Sequence, residues 1–211
     1  MTNTLVYELD NKIYINLTNR CTSDCIFCLR NDKADVCGSS MWLKSEDFTA
    51  QDVINQLSTL NSSARPPRLS TEITFCGYGE PTLKLDILKE VASYIKQNYP
   101  DTKIRLNTNG HANFVHKRNI VPELAGLIDE ISVSLNAPTP EQYDELSQPK
   151  FRNAYNEVLD FIKKSSEAGI KTTASVVDGY KGLNLDLEAC RQQAAGHGAA
   201  LRVREWIQNG Y

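Results

Sequence analysis

Three cysteines near the start of the chain have the spacing of a metal-binding motif. Cys21, Cys25 and Cys28 are spaced C-x3-C-x2-C within a polar stretch, the cysteine loop (residues 19–31), which follows an alternating apolar run ending at Leu17. Thiolates are soft ligands, and three so close together can hold one face of an iron–sulfur cluster or supply three ligands to zinc. Three cysteines leave one iron of a cluster open to a small molecule, whereas Cys37 or a histidine as a fourth ligand would give a zinc site or an electron carrier. The remaining alternative is three unrelated buried thiols.

Polar motifs also stand at the ends of three later segments that have the apolar pattern of strands. They are GYGEP at residues 77–81, NTNG at residues 107–110 and SVSLN at residues 132–136. Each has an ordinary structural explanation, because glycine and asparagine favour turns and proline suits the first position of a helix. Their positions after successive strands indicate a shared site, since ligands collect at the carboxyl ends of parallel strands.

The alternation of strand and helix patterns predicts the elements that position these motifs. Six strands are predicted near residues 13–17, 72–76, 103–106, 130–135, 171–177 and 201–207. Helices are predicted at residues 52–60 after a capping box of Thr49 and Asp52, and at 87–95, 121–127, 151–162 and 185–195, with a loop around Pro138 and Pro140. This order favours a parallel sheet with right-handed crossovers. A complete eight-unit barrel takes roughly 250 residues. The 211 residues of this chain therefore predict an α/β fold, a partial (β/α)6 TIM-like barrel forming a single domain over residues 1–211.

Composition narrows the class of protein. With 41% hydrophobic and 23% charged residues, the chain has the composition of an ordinary soluble globular protein. The net charge of −3 gives no clear nucleic-acid signal, and the short basic segments at residues 65–68 and 116–118 are typical of solvated loops. No export signal or membrane span is recognisable, so we expect a cytoplasmic protein with reduced thiols and no membrane partner.

The cysteine spacing, with Phe27 directly before Cys28, resembles the radical S-adenosylmethionine (SAM) superfamily. Within it, the stretch LTNRCTSDCIFCLRN most resembles the radical SAM proteins associated with the TatD family of metal-dependent hydrolases. The resemblance implies a radical SAM core and two cofactors, a [4Fe-4S] cluster and SAM. Cys21, Cys25 and Cys28 would hold the cluster, and its fourth iron would chelate the amino and carboxylate groups of SAM.

The resemblance also implies contacts for the two ends of SAM. GYGEP is similar to the superfamily's Gly-Gly-Glu motif, so Gly79 and Glu80 are expected to hold the methionine amino group. A carboxylate and free backbone groups suit an ammonium. Tyr78 stands where many members have a second consecutive glycine, which makes Glu80 a firmer assignment than Gly77. Phe27 is expected over or near the adenine, and its alternative role is packing against the first helix.

Two further motifs receive SAM or substrate roles from the resemblance. It places Thr108 and Asn109 beside the substrate or the methionine end. It places Ser134 and Asn136 where the sugar hydroxyls and the carboxylate of SAM are held. In the structural alternative all four are turn residues.

Weaker candidates lie on the last two predicted strands. Ser175 and Val177 could border the adenine, and Arg202, Arg204 and Glu205 could face substrate. Alternation places both arginines on one face of the strand, opposite Glu205. The other cysteines are interpreted as plain thiols and the histidines as structural: Cys37, Cys76, Cys190, His111, His116 and His197.

Together these features predict a radical SAM enzyme. A flavodoxin or ferredoxin would reduce the cluster, and a 5′-deoxyadenosyl radical from SAM would abstract hydrogen from an unidentified substrate, either a small molecule or a macromolecule. A non-catalytic iron–sulfur electron carrier or a zinc-binding module is the competing class, and it leaves the strand-end motifs unexplained. Within the enzyme class, the alternatives are a role like that of the carboxy-deazaguanine synthases or the glycyl-radical activating enzymes. Leu29-Arg30 and Ser134-Leu135-Asn136 depart from the motifs of those two groups.

Overall fold

The computed structural model describes residues 3–10, 12–31, 33, 35–36, 38–63 and 71–206. The strands are β1 (Val6–Leu9), β2 (Lys12–Ile15), β3 (Asp35–Val36), β4 (Ser39–Ser40), β5 (Glu72–Phe75), β6 (Lys103–Thr108), β7 (Glu130–Ser134), β8 (Lys171–Asp178) and β9 (Ala200–Glu205). The helices are α1 (Ala50–Ser63), α2 (Leu85–Asn98), α3 (Ala112–His116), α4 (Val121–Leu124), α5 (Pro140–Ser147), α6 (Ala154–Glu167) and α7 (Leu187–Gly196). Cys37, the basic segment at residues 65–68 and the end of the last predicted strand lie outside the described residues.

The main sheet confirms the predicted fold class. It has seven strands in the order β1-β2-β5-β6-β7-β8-β9, and every neighbouring pair from β2 to β9 is parallel. The six predicted strands are all present. The sheet gains one strand that was not predicted, because β1 pairs antiparallel with β2 at the edge. Asp10 takes a left-handed conformation (φ 50°) where the chain reverses between them.

One face of the sheet packs on the helices and forms the core. Strand register aligns Ile15 with Phe75, Phe75 with Leu106, and Leu106 with Ile131, so apolar side chains form rows across neighbouring strands. The helices contribute buried side chains that include Val53, Leu57, Leu88, Ile95, Val158 and Phe161. Burial of this apolar area, at about 25 cal/mol per Å², is the main force that holds the strands in register.

The opposite face of the sheet is polar. Because side chains alternate along a strand, the residues between the core positions point away from the helices. This polar face carries Thr74, Arg105, Asn107, Ser132, Ser134, Ser175 and Arg202, which the register aligns in rows from β5 to β9. So many hydrogen-bonding groups suit a ligand-binding surface better than a packed interior.

The helices agree with the sequence patterns except around three short segments. At α1 the predicted capping box is formed, with Thr49 N 2.8 Å from Asp52 Oδ2 and Asp52 N 3.3 Å from Thr49 Oγ1. The loop predicted around Pro140 is wrong, because that proline begins α5 and the Thr139 hydroxyl caps the helix. Helix α3 was not predicted either. Helix α4 ends at Leu124 because Ala125 has an extended backbone conformation. The predicted helix continued to residue 127.

None of the helices within the described ranges is long and apolar enough to cross a membrane.

Candidate functional site

The cysteine loop starts just beyond the carboxyl end of β2. Cys21, Cys25 and Cys28 are each half-buried. Backbone hydrogen bonds wind the loop tightly, since Cys28 N donates to Cys25 O at 3.1 Å and Asn31 N donates to Cys28 O at 3.0 Å. A 3-10 turn at Leu29–Asn31 completes it. The loop therefore presents its three thiols from a short, internally bonded segment.

The end of helix α5 holds this loop from outside. Asp24 N donates to Gln148 O at 3.1 Å, and Ile26 N donates to Leu146 O at 3.0 Å. Both bonds lie between cysteine ligand positions, so α5 fixes the path of the backbone between Cys21 and Cys28. This support was not predicted from the sequence, in which Pro138 and Pro140 indicate a loop.

The three thiols influence each other electrostatically. The pKa of the Cys25 thiol is raised to about 12, first by burial and then by the neighbouring Cys28 and Cys21, while a hydrogen bond from Ser147 acts in the opposite direction. Burial followed by the Glu80 carboxylate raises the pKa of Cys21. Thiolates crowded in this way need a compensating positive charge, which is what a metal centre supplies.

The arrangement of the three thiols is compatible with a polynuclear cluster. Within the described part of the chain, no three Cys, His, Asp or Glu side chains are grouped closely enough to ligate one ion. A cube of iron and sulfide instead takes each thiolate on a separate iron, so its ligands need not meet at one point.

The GYGEP segment follows β5 and packs directly against the end of β2. A Cβ atom on Gly79 would lie 2.3 Å from Thr18 O and 2.5 Å from Arg20 O. A Cβ atom on Gly77 would lie 2.0 Å from the Asn16 side-chain oxygen. Glu80 N donates to Arg20 O at 2.8 Å. Gly79 is therefore required by the close approach of this segment to the backbone at the start of the cysteine loop, whereas a side chain at Gly77 would have to displace the Asn16 side chain.

The Glu80 carboxylate is buried, with 3% of the residue exposed, and it joins two strand ends. Its Oε1 atom accepts from Thr82 N at 3.1 Å, Thr82 Oγ1 at 2.7 Å and Thr108 Oγ1 at 2.8 Å, and Oε2 accepts from Asn109 N at 2.7 Å. Burial raises the pKa of Glu80, and hydrogen bonds from Asn109, Thr82 and Thr108 counteract that rise. Oε2 has one bonded donor and so retains capacity to accept another.

Asn109 connects the NTNG segment to the cysteine loop. Its side-chain Nδ2 lies 2.7 Å from Thr22 Oγ1 and 3.6 Å from Cys21 Sγ. The structure thus brings Thr108, Asn109 and Glu80 to the first cysteine, as expected for residues of one site.

Asn136 carries a buried acceptor that has no partner among the described residues. The residue is 3% exposed and takes a left-handed backbone conformation with φ 59°. Its Nδ2 donates to Ser147 Oγ at 3.0 Å, and its backbone N donates to Ser175 O at 3.1 Å. Its Oδ1 accepts no hydrogen bond. An unpaired buried acceptor costs free energy of about 1–3 kcal/mol, and a ligand donor would recover it. Ser134, two residues earlier, lies beside Ser175 on the polar face.

Three aromatic rings form a line along one side of the site. The ring of Phe27 packs edge-on against Tyr180 with centroids 6.2 Å apart, and Tyr180 packs edge-on against Trp206 at 5.0 Å. Tyr180 and Trp206 were not predicted as site residues. The Gly179-Tyr180 pair at the end of a predicted strand was the available signal for the first of them.

The weaker candidates on β9 are two arginines and a glutamate, and they lie on opposite faces of the strand. Register places Arg202 beside Ser175 and Arg204 beside Val177, while Glu205 lies on the opposite face. The structure therefore brings the two arginines to the polar face, as alternation indicated. Cys76 also lies near this face, where burial raises the pKa of its thiol and Asn107 and Arg204 lower it. Cys190 is buried in the core.

Comparison with known proteins identifies the family. The family model for the radical SAM superfamily matches residues 15–192. An uncharacterised protein of Methanocaldococcus jannaschii is 24% identical over 152 residues, which is 72% of this chain and 46% of that protein. A probable GTP 3',8-cyclase of Saccharolobus solfataricus is 27% identical over 158 residues, which is 74% of this chain and 44% of the cyclase. The chain thus spans less than half the length of these relatives.

A solved structure shows the same fold. The crystal structure of Streptococcus suis SuiB bound to precursor peptide SuiA has a TM-score of 0.66 and 18% sequence identity, over 96% of this chain and 41% of that one. Members of the family use a [4Fe-4S] cluster and SAM. The matched residues contain the cysteine loop and all of the strand-end motifs described above. We conclude that this chain belongs to the radical SAM superfamily.

Proposed function

We propose that the chain forms a radical SAM enzyme in which Cys21, Cys25 and Cys28 hold the [4Fe-4S] cluster. The main support is the distance of 3.6 Å between Asn109 Nδ2 and Cys21 Sγ, because the same asparagine donates its backbone N–H to Glu80. The cysteine loop, GYGEP and NTNG therefore form one site. These cysteines would hold the cluster, which would supply the electron for reductive cleavage of SAM to methionine and a 5′-deoxyadenosyl radical, and this radical would abstract hydrogen from substrate.

The residues around the cysteine loop suit the methionine end of SAM. Glu80 Oε2 has remaining acceptor capacity and lies at the end of β5, where it can receive the ammonium together with backbone groups of Gly79. Thr108 and Asn109 hold that carboxylate in place through two of its hydrogen bonds. Their role toward SAM is to fix the orientation of Glu80 in a buried setting where charge–dipole interactions are strong.

Residues farther along the sheet suit the nucleoside end. The Oδ1 atom of Asn136, which accepts no hydrogen bond within the described part of the chain, can accept from a sugar hydroxyl, and Ser134 lies two residues before it. The rings of Phe27 and Tyr180 offer an apolar surface for the adenine. An adenine there would be held away from water, which limits side reactions of a radical formed at C5′.

Substrate would bind against the polar face of the sheet. Arg105, Asn107, Ser132 and Arg202 lie there, and a hydrogen-bonding substrate would satisfy them. A flavodoxin or ferredoxin is the proposed electron donor. One relative is named as a probable GTP 3',8-cyclase, and SuiB was solved bound to a precursor peptide, so we keep both a small molecule and a macromolecule as substrate classes. The narrower relationship to the TatD-associated radical SAM proteins is part of this proposal and is supported by the stretch LTNRCTSDCIFCLRN.

The number of cysteine ligands tests this proposal against a four-cysteine electron carrier or a zinc module. We would reconstitute wild type, Cys21→Ala and Cys37→Ala anaerobically with iron and sulfide and measure bound iron, sulfide and the EPR spectrum of the reduced protein. The expected result is loss of the cluster in Cys21→Ala, retention in Cys37→Ala, and a change in the EPR spectrum when SAM is added to both cluster-containing proteins. Equal loss of the cluster in the two variants would overturn the open-iron mechanism.

A further inference from the structure

A chain of hydrogen bonds runs from helix α5 to the first cysteine, buried between Tyr143 and His111 and partly buried at Thr22 and Asn109. Tyr143 Oη lies 2.8 Å from His111 Nε2, and His111 Nδ1 lies 2.9 Å from Thr22 Oγ1. Thr22 Oγ1 lies 2.7 Å from Asn109 Nδ2, which in turn lies 3.6 Å from Cys21 Sγ. His111 and Tyr143 are almost completely buried. The side chains of these four residues, from three segments of the chain, thus form a continuous hydrogen-bonded path to one sulfur atom.

The direction of each bond follows from the groups themselves. The backbone N–H of His111 donates to Asn109 Oδ1 at 3.0 Å, so the amide nitrogen of Asn109 must face Thr22 and Cys21. An amide nitrogen only donates, so the Thr22 oxygen accepts and its hydroxyl hydrogen donates to His111 Nδ1. His111 then carries its hydrogen on Nε2 and donates to the Tyr143 oxygen. This assignment needs a neutral imidazole, and burial lowers the pKa of His111 to about 4.

With these hydrogen-bond directions, one N–H of the Asn109 side chain points at Cys21 Sγ. Hydrogen bonds to the ligand sulfurs are among the factors that set the reduction potential of an iron–sulfur cluster. A donor stabilises the reduced cluster more than the oxidised one, because reduction adds negative charge to the cluster and its sulfurs. The chain therefore has a chemical consequence at Cys21 beyond the packing of buried polar groups.

We propose that Asn109, Thr22, His111 and Tyr143 form a positioning network that raises the reduction potential of the cluster through a hydrogen bond to Cys21. Asn109 supplies the donor, and the other three residues fix its orientation. The inference rests on the proposed function, since it takes Cys21 as a cluster ligand. It adds a set of residues that control how easily the cluster accepts an electron before SAM is cleaved.

Two matched pairs of variants test the network. Thr22→Val keeps the shape of the side chain but removes the hydroxyl, whereas Thr22→Ser keeps the hydroxyl. Tyr143→Phe removes the hydroxyl that bonds to His111 and that also contacts Ser147 and Ser23. Tyr155→Phe removes a comparable buried hydroxyl from a neighbouring ring, where it donates to Pro138 O at 2.8 Å and does not reach the cysteine loop.

The midpoint potential of the cluster is the first quantity to measure, by anaerobic redox titration followed by EPR in the absence of SAM. Thr22→Val is expected to lower the ratio of reduced to oxidised cluster about tenfold at a fixed applied potential. For a one-electron couple this is a shift of about 59 mV to more negative values. Tyr143→Phe should shift in the same direction by less, and Thr22→Ser and Tyr155→Phe should match wild type.

Resonance Raman spectra of the same samples should show altered iron–thiolate stretching bands in Thr22→Val, a smaller change in the same bands in Tyr143→Phe, and wild-type bands in Thr22→Ser and Tyr155→Phe. Wild-type potentials in both Thr22→Val and Tyr143→Phe, at full iron content, would overturn the network. A shift in Tyr155→Phe equal to that in Tyr143→Phe would also overturn the network, because the potential would then respond to the packing of a buried ring and not to the hydrogen bond. If instead wild type formed no cluster at all, the proposed function itself would fail, which is a distinguishable result.

Discussion

The Glu80 carboxylate accepts a hydrogen bond of 2.7 Å from the backbone N–H of Asn109. This contact joins the loop after β5 to the loop after β6, and both loops reach the start of the cysteine loop, through Arg20 and Cys21. A buried carboxylate with bonds from three residues is therefore central to the geometry of the site. We therefore expect loss of this carboxylate to lower the stability of the folded protein.

Replacing Glu80 with glutamine should destabilise the protein. Glu80→Gln keeps the side-chain shape but substitutes an NH2 group for one acceptor oxygen, which then faces a donor from either Asn109 or Thr82. The expected loss is about 1–3 kcal/mol in the free energy of unfolding. Urea denaturation of the cluster-loaded protein measures it. Glu90→Gln, at an exposed position of α2, is the matched control and should change stability by less than about 0.5 kcal/mol. Equal effects in the two variants would show that the hydrogen bonds of Glu80 do not stabilise the site.

A methyl group at Gly79 should be poorly tolerated. Gly79→Ala would bring Cβ to 2.3 Å from Thr18 O, and the opposing atom is backbone that cannot rotate away. We expect a loss of about 2 kcal/mol or more in unfolding free energy, with reduced iron retention because the cysteine loop is displaced. Gly196→Ala is the control, since a Cβ there meets nothing within 4 Å and alanine favours the helix. A Gly79→Ala protein as stable as Gly196→Ala would contradict the tight packing.

The buried His111 should make the protein sensitive to acid. Its pKa in the folded protein is lowered to about 4 by burial. An unfolded histidine takes up a proton below about pH 6.5, so the unfolded state binds more protons between these two values and stability falls as pH falls. The contribution is about 3 kcal/mol over that interval. Urea denaturation at several pH values should show a shallower dependence in His111→Gln than in wild type. Parallel curves for the two proteins would contradict the neutral, buried state of His111.

Tyr180 should contribute to SAM affinity. Tyr180→Leu removes the aromatic ring that packs against Phe27 while leaving an apolar side chain. An aromatic contact of this kind contributes about 1 kcal/mol beyond its buried area, so the dissociation constant for SAM should rise about fivefold to tenfold. Equilibrium binding of SAM to the anaerobic, cluster-loaded protein measures it. Tyr94→Leu, on α2, is the control because its ring packs against Tyr99, and it should bind SAM like wild type. Unchanged affinity in Tyr180→Leu would place the adenine elsewhere.

The strands of the main sheet could be predicted from sequence because their apolar residues alternate and their ends carry glycine, asparagine or proline. The edge strand β1 could not, since its burial does not alternate and its pairing depends on a reversal at Asp10. Helix α5 was missed because Pro140 was interpreted as a loop residue, although proline at the first position of a helix is favourable.

The candidate site also has some features that the sequence predicts and others that only the structure shows. The cysteines and strand-end motifs are contiguous in sequence and could be recognised from spacing. Two of the three partners of Glu80, Thr108 and Asn109, lie 28 and 29 positions away, and the link from Thr22 to His111 spans 89 positions. Such contacts depend on tertiary structure alone. Gly79 could be recognised as part of a motif, but the reason for it, a close approach to Thr18 and Arg20, is visible only in the fold.

The most direct test of the central claim is whether the protein cleaves SAM reductively. Wild type and Cys25→Ala would be reconstituted anaerobically, reduced with dithionite in the presence of SAM, and assayed for 5′-deoxyadenosine by chromatography. The account predicts that the nucleoside forms with wild type and is absent with Cys25→Ala. A fully assembled wild-type cluster that yields no 5′-deoxyadenosine, and whose EPR spectrum does not respond to SAM, would contradict it and favour an electron carrier.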